Sequence, residues 1–339
     1  MKSLQKIGRI AVVSNIQHHD RTYAVVDEEA EFDGIETVEA IRDALRAGGA
    51  SAEILEAGPD LPEQLKAREI RFVFNIAEGK GGRDREAQVP ALLSMLGIPY
   101  SGSDALAMSV TLDKALCKRI AASCGIRTAA SCLLSPGDEE RLPPFSYPVI
   151  VKPNAEGSGK GITERCIAEN EEELRRMLRD LFEKYRQDML VETYLDGREF
   201  TVGILGNGKT MQVFPPMEIV YRHPTQNGYY VYSYEIKKDY RQHVDYVCPA
   251  DIPGEAGDEM MRAAETIFRA LGCCDLARVD FRMDAAGTPY FLEINQLPGL
   301  APNYSDYPMA AEAVGYSYQD LICAIADCAA ERLFSEEKR

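Results

Sequence analysis

The chain has 339 residues and a formal net charge of −16, with 45% hydrophobic and 27% charged residues. That length and composition fit a globular protein of two or three domains with a large core. The acidic balance argues against nucleic acid or an anionic membrane as a main partner, since both need a basic footprint; local basic pockets for phosphate stay open.

Residues 7–14, IGRIAVVS, are a short apolar run that fits a buried strand. The segment after it, NIQHHDRTYAVVDEEAEFDG, is polar and irregular. Apolar residues then recur at Ile35, Val38, Ile41, Ala44 and Leu45, a helical spacing that stops at Gly48-Gly49. Residues 52–55 and 71–76 read as further strands. This order suggests a parallel α/β unit, in which ligands sit beyond the carboxyl ends of the strands. Residues 14–34 and 75–85 therefore face the working side, the second as a flexible loop with Gly79, Gly81 and Gly82.

Residues 86–96 read as a helix, 98–100 as a short strand, and 103–123 as one long helix capped by Ser103 or Asp104. A strand at 147–152 leads into the glycine-rich PNAEGSGKGI. Residues 170–188 are a charged amphipathic helix. Strands at 189–193 and 199–205 flank a turn at Asp196-Gly197, and 213–220 is extended. The tyrosine-rich stretch 222–246 has no clean period and reads as a long functional loop. Helices follow at 257–271 and 318–333.

Between those helices, ARVDFRMDAAGTPYFLEINQLPGL reads as two strands joined at Asp284-Ala285-Ala286-Gly287. Strict alternation puts Val279, Phe281, Met283, Tyr290, Leu292 and Ile294 on a core face. Arg278, Asp280, Phe291, Glu293 and Asn295 share the other. Two carboxylates and a carboxamide on a rigid pleat suit a hard cation such as Mg²⁺, which takes oxygen ligands and usually shares them with phosphates. A solvated outer face is the competing reading. Nine scattered cysteines without a C-x-x-C pair fit a reduced compartment. The four histidines lack zinc-ligand spacing. There is no apolar run long enough for a membrane span and no signal-peptide core at residues 1–10.

Lys152 ends a strand just before the glycine loop, whose backbone N–H groups can close over phosphate oxygens. Glu192 and Glu199 flank a Leu-Asp-Gly turn, where acidic groups can accept hydrogen bonds from an adenine amino group or ribose hydroxyls. Singly, each feature is more often structural: a common Gly-Ser-Gly turn, exposed glutamates, and a surface lysine at Lys114. Together they are specific. Lys114, Lys152, Glu192, Glu199, Arg278-x-Asp280 and Glu293-x-Asn295 occur in the order of an ATP-grasp enzyme. With REAQVPALLSMLGIPYSGSD, TLDKALCK, VIVKPNAEGSGKGI, LVETYLDGREFTVGILG and RVDFRMDAAGTPYFLEINQLPG, the chain after Arg71 resembles the D-alanine–D-alanine ligase family.

That resemblance implies an α/β and α+β architecture, an ATP-grasp fold behind an N-terminal parallel α/β domain. The expected divisions are 1–108, 109–202 and 203–339, the last carrying the metal and catalytic residues. It implies ATP and Mg²⁺, with Mn²⁺ as a substitute. Lys114 and Lys152 look like the phosphate lysines, with Glu156 and Ser158 in the loop that closes over them. Glu192 and the Tyr194-Leu195 backbone would meet adenine, Glu199 the ribose and Lys237 the γ-phosphate. Asp280, Glu293 and Asn295 look like the metal ligands, and Arg278 with the Gly299 N–H would stabilise an oxyanion. Ser305 resembles the serine that binds the second substrate's carboxylate. A cytoplasmic homodimer acting on small amino acids is implied, most simply joining two D-alanines for peptidoglycan precursors.

The departures fall on substrate-facing positions. The family's glycine-rich first loop is replaced by the segment holding Glu31, Asp33 and Glu36, candidates for an ammonium group. Its His-Gly segment becomes NIAEGKGG, with Glu78 serving the ammonium or simply solvated. Lys238 stands where the family carries a tyrosine, and the tail PGLAPNYSDYP is one residue longer than the usual spacing. A related ligase joining other amino acids is therefore the first alternative. A non-catalytic ATP-binding regulator is disfavoured by the intact Arg278, Asp280, Glu293 and Asn295, and a dehydrogenase by the lack of G-x-G-x-x-G after the first strand.

Overall fold

The apolar runs near the amino terminus form a parallel sheet. A computed structural model describes residues 7–18, 29, 31–157, 159–161, 166–224, 228–233, 236–237 and 239–335. In it β1 (Arg9–Ser14) lies between β2 (Ser51–Glu56) and β3 (Phe72–Ile76), all parallel. Helix α1 (Ile35–Ala47) connects the first two strands, as its spacing predicts. A short α2 (Leu61–Ala67), not anticipated, connects β2 to β3; its signal is Pro62 in the first turn, where a missing N–H costs nothing. A 3₁₀ turn (Arg85–Ala87) runs into α3 (Gln88–Leu96).

The expected helix 103–123 is two helices, α4 (Ala105–Leu112) and α5 (Lys114–Ser123). Asp113 breaks it: its backbone is extended and its side chain accepts the Leu116 N–H at 2.9 Å and the Asn154 amide at 2.9 Å. An aspartate offers the backbone a cap instead of a continued ladder. A small antiparallel sheet follows, order β4 (Ser131–Leu134), β7 (Met189–Thr193), β5 (Val149–Pro153), β6 (Ile167–Ala168). Its inner face, Val149, Val151, Met189 and Val191, packs on Leu174, Leu178 and Phe182 of α6 (Glu171–Tyr185).

The third sheet runs β11 (Val244–Val247), β10 (Met217–Tyr221), β8 (Glu199–Leu205), β12 (Leu276–Met283), β13 (Pro289–Asn295), with β9 (Gln212–Val213) beside β8. A single turn, α7 (Tyr240–His243), precedes β11 within the tyrosine-rich stretch. The core face of this sheet packs under α8 (Gly254–Ala270) through Met260, Ala264 and Ile267. A domain division at 202 would cut the continuous strand β8; the turn at Asp196-Gly197 is the break between sheets. The C-terminal α9 (Asp306–Ala313) and α10 (Tyr318–Ser335) return to the amino-terminal sheet. Leu321, Ile325 and Ala329 of α10 share one core with Val38, Ile41 and Leu45 of α1 and Ile10 and Val12 of β1.

One face assignment is corrected. Register slips in the hairpin: Asp280 pairs with Glu293, but Phe281 pairs with Phe291, leaving Leu292 as an extra residue. Such a bulge re-aims the side chains beyond it. Phe291 is fully buried beside Phe281, ring centroids 6.2 Å apart, instead of sharing the polar face. Leu292 moves from the expected core face to the cavity wall next to Glu293.

Candidate active site

The three sheets enclose a cavity of about 570 Å³. The cations around it come from fixed elements. Lys114 opens α5 because Asp113 caps that helix; its Nζ donates to the Glu156 carbonyl and lies 3.2 Å from Glu293. Lys152 on β5 lies 2.9 Å from Glu192 on β7. Lys118, one turn beyond Lys114, lies 3.1 Å from the same glutamate and donates to the Phe291 carbonyl at 3.2 Å. Glu192 is 1% exposed, and despite burial the two lysines hold its carboxyl below the usual range. Its carboxylate is thus committed to lysines, and Tyr194 and Leu195 beside it line the cavity wall.

Glu199 accepts from Tyr221 Oη at 2.6 Å and from Arg282 at 3.1 Å. Arg282 also donates to Tyr194 Oη and the Tyr230 carbonyl, both at 2.8 Å, so it braces this wall. On the hairpin, Arg278 donates to both oxygens of Asp280 at 2.9 and 2.8 Å and lies 3.4 Å from Asp306. Asp280 also accepts from Thr201 at 2.8 Å and Asn295 at 2.9 Å. Burial opposes ionisation of Glu293, yet Lys114, Lys152 and Arg278 hold its carboxyl at about 2. Asp280, Glu293 and Asn295 all line the cavity. Among the described residues no three His, Cys, Asp or Glu side chains gather into a metal cage. Two carboxylates and an amide oxygen instead fit a cation that completes its shell with phosphate and water.

Gly299 faces the same space, and a Cβ on it would come 2.7 Å from Ser305 Oγ. Ser305 Oγ accepts the Ala301 N–H at 3.2 Å, and both residues line the cavity. Lys237 also lines the cavity and is half-buried; desolvation, with Arg278 nearby, lowers its pKa. Ser158 and Lys238 lie outside the described residues.

The amino-terminal wall differs from expectation. Glu31 lines the cavity, but Arg85 takes its carboxylate at 2.6 and 3.0 Å and the Gly157 N–H donates to it at 2.5 Å. It ties two loops together and is not a free ammonium acceptor. Glu156 is likewise engaged by Gln187 at 2.6 Å, Lys160 at 3.1 Å and Arg85 at 3.4 Å. Glu36 is exposed and off the cavity wall. Asp33 and Glu78 do line it. So does Glu86, which sequence reasoning passed over as a helix residue. Lys118 and Arg282 were also missed, although each had a signal: i+4 from Lys114 on a helix, and i+2 from Asp280 on a strand. Asp306 had none, since its contact with Arg278 depends on where α9 docks.

The chain is similar to known proteins over most of its length. The family described as "D-ala D-ala ligase C-terminus" matches residues 137–327. A D-alanine–D-alanine ligase of Bordetella parapertussis is 35% identical over 301 residues, 88% of this chain and 91% of that protein. An uncharacterised protein of Sinorhizobium fredii is 36% identical over 275 residues, 81% of this chain and 79% of that one. The crystal structure of a D-alanine–D-alanine ligase from Bacillus anthracis complexed with ATP superposes with a TM-score of 0.74 and 26% identity, covering 97% of this chain and 99% of that one.

Proposed function

The chain belongs to the D-alanine–D-alanine ligase family, and on that premise we propose that it is an ATP-dependent, ADP-forming carboxylate–amine ligase that joins two D-alanines through an acyl phosphate for peptidoglycan precursors. One observation carries the reading: Lys114 and Lys152 share a cavity wall with Asp280, Glu293 and Asn295, and Arg278 stands on the same strand as Asp280. Asp280, Glu293 and Asn295 would hold Mg²⁺, which when bound neutralises charge on the phosphates.

A carboxylate is a poor electrophile. The donor's carboxylate oxygen takes up the terminal phosphoryl group; an O–P bond forms, the bridging P–O bond breaks, and ADP leaves. Lys114, Lys152 and Lys237 offset the charge on the group in flight, where positioning and electrostatics supply most of the catalysis. The acceptor's ammonium gives up one proton before its nitrogen attacks the acyl carbon, and a second as the intermediate collapses. The C–N bond forms first, giving that intermediate; its C–O bond then breaks and inorganic phosphate leaves, with the two protons passing to phosphate and solvent. Arg278 and the Gly299 N–H meet the oxygen that becomes negative, and one such donor is worth about 3–4 kcal/mol of barrier. Ser305 would hold the acceptor's carboxylate.

The test is ADP formation with ATP, MgCl₂ and D-alanine. Turnover with D-alanyl-D-alanine as product is expected; ATP binding without ADP formation for any amino acid would remove the ligase reading. A second reading, the same chemistry with other amino acids, is favoured by Glu78, Glu86 and Asp33 on the wall where a small zwitterion would sit. A cytoplasmic homodimer accompanies the proposal, and sedimentation checks the dimer. No helix among the described residues is long and apolar enough to cross a membrane.

A further inference from the structure

Asp33, Glu78 and Glu86 have no part in the steps above. Glu78 stands two residues past the carboxyl end of β3, Glu86 in the 3₁₀ turn, and Asp33 at the end of the loop after β1. All three line the cavity, on the side where a parallel sheet presents its ligands. Their neighbours Glu31 and Glu156 are neutralised by Arg85 and Lys160. Among the described residues, these three side chains make no hydrogen bond or ion pair, even though Glu86 is only 8% exposed. Asp33 and Glu78 are half-buried and Glu86 is buried; a buried carboxylate without a partner is costly, and native proteins rarely keep one without use. Burial raises Asp33 and Glu86 to about 7 and Glu78 well above its ordinary value.

The charges can be counted. Lys237 faces Asp33 and Glu78, makes no ion pair among the described residues, and in the ligase reading turns to the γ-phosphate. Lys114, which also faces Glu86, is held by Glu293. These raised carboxyls ionise where a cation comes to them: an α-amino acid donor brings one ammonium, a diamino donor brings two, and the third carboxyl keeps its proton. We propose that this subsite is built for an acyl donor with a second ammonium close to its α-carbon, a short diamino acid, and that Glu78 and Glu86 select it over D-alanine. The inference rests on the ligase chemistry proposed above and changes only the donor.

The experiment uses the whole protein, ATP, MgCl₂ and D-alanine as acceptor. Donors are D- and L-alanine, 2,3-diaminopropionate, 2,4-diaminobutyrate and ornithine, with ADP release and product mass as readouts. The donor becomes the N-terminal residue of the dipeptide, so fragmentation identifies it. At least one diamino acid should exceed alanine in kcat/KM by about tenfold or more, the scale of one buried charge pair. Glu86→Gln and Glu78→His should bring that ratio toward one. Efficient D-alanine ligation with no diamino preference in the unmodified protein would overturn the inference and leave the ligase reading standing. A preference untouched by both substitutions would also overturn it. ADP formation with no donor at all would remove both.

Discussion

Glu293 is the carboxyl of the hairpin that its surroundings hold well below the usual range. Lys114, Lys152 and Arg278 keep it ionised although it is half-buried. Glu293→Gln keeps the shape and removes the charge. Activity should fall by about a hundredfold or more, with circular dichroism unchanged, since the proposed function has this carboxylate hold the cation that meets the phosphates. Near-normal ADP release would contradict the metal assignment. Lys118 offers a second test. It lies against Glu192 together with Lys152, entirely inside the protein. Lys118→Met should leave Glu192 with one cation, lower the Tm, and raise KM for ATP more than it lowers kcat; Lys118→Arg should restore part of the loss. Removing one partner of a buried pair costs about 3–5 kcal/mol when no other partner remains, and less here because Lys152 stays. An unchanged KM for ATP would show that Glu192 needs no second lysine.

At the scale of elements, small breaks in regular structure place the chemistry. The bulge at Leu292 lets β13 bury Phe291 while Glu293 and Leu292 face the cavity. Period-two reading could not see it, because one extra residue reverses every side chain beyond it. Asp113 does the same for α4 and α5, making Lys114 a first-turn residue. The polar hairpin positions, the glycine loop and the lysines were legible, since each is set by local pattern. Glu31 was misread and Glu86 missed, because both depend on Arg85 and loop packing that no spacing encodes. Gly79 is the corresponding weak point of the loop that carries Glu78. Its φ is +73°, and a Cβ there would meet the Arg85 carbonyl oxygen at 2.0 Å. Gly79→Ala should cost about 1–3 kcal/mol of stability and displace Glu78 and Arg85 together. Chemical denaturation and donor KM would show it; a variant equal to the parent in both would mean the loop is not held by that turn.

Over the whole molecule, the cavity is bounded by carboxyls with opposed titrations, and these predict how pH acts on the unliganded protein. Glu293 is held low, at about 2 against an ordinary 4.5. Its contribution to stability is present above the ordinary value and lost as pH falls toward 2. Asp33 and Glu86 are held high by burial, at about 7 against 3.8 and 4.5. In the folded chain they keep a proton that the unfolded chain has already released. Between those ordinary values and about 7, unfolding therefore releases protons, and stability falls as pH rises through that window. The groups facing Glu86 are Arg85, Glu31, Lys114 and Glu293, and the attraction of the two cations is too small to cancel its burial. Glu86→Gln removes this titration while keeping the shape. The variant should match the parent near pH 4.5 and become the more stable of the two by pH 8, by about 1–3 kcal/mol. Thermal melts from pH 4.5 to 8 measure the difference. Because α10 and α1 share one core across the carboxyl- and amino-terminal parts, those two parts should melt in a single transition, so the difference reads on the whole fold. Parallel melting curves at every pH would show that Glu86 is ionised in the folded chain without penalty, and that its wall already holds the counter-charge.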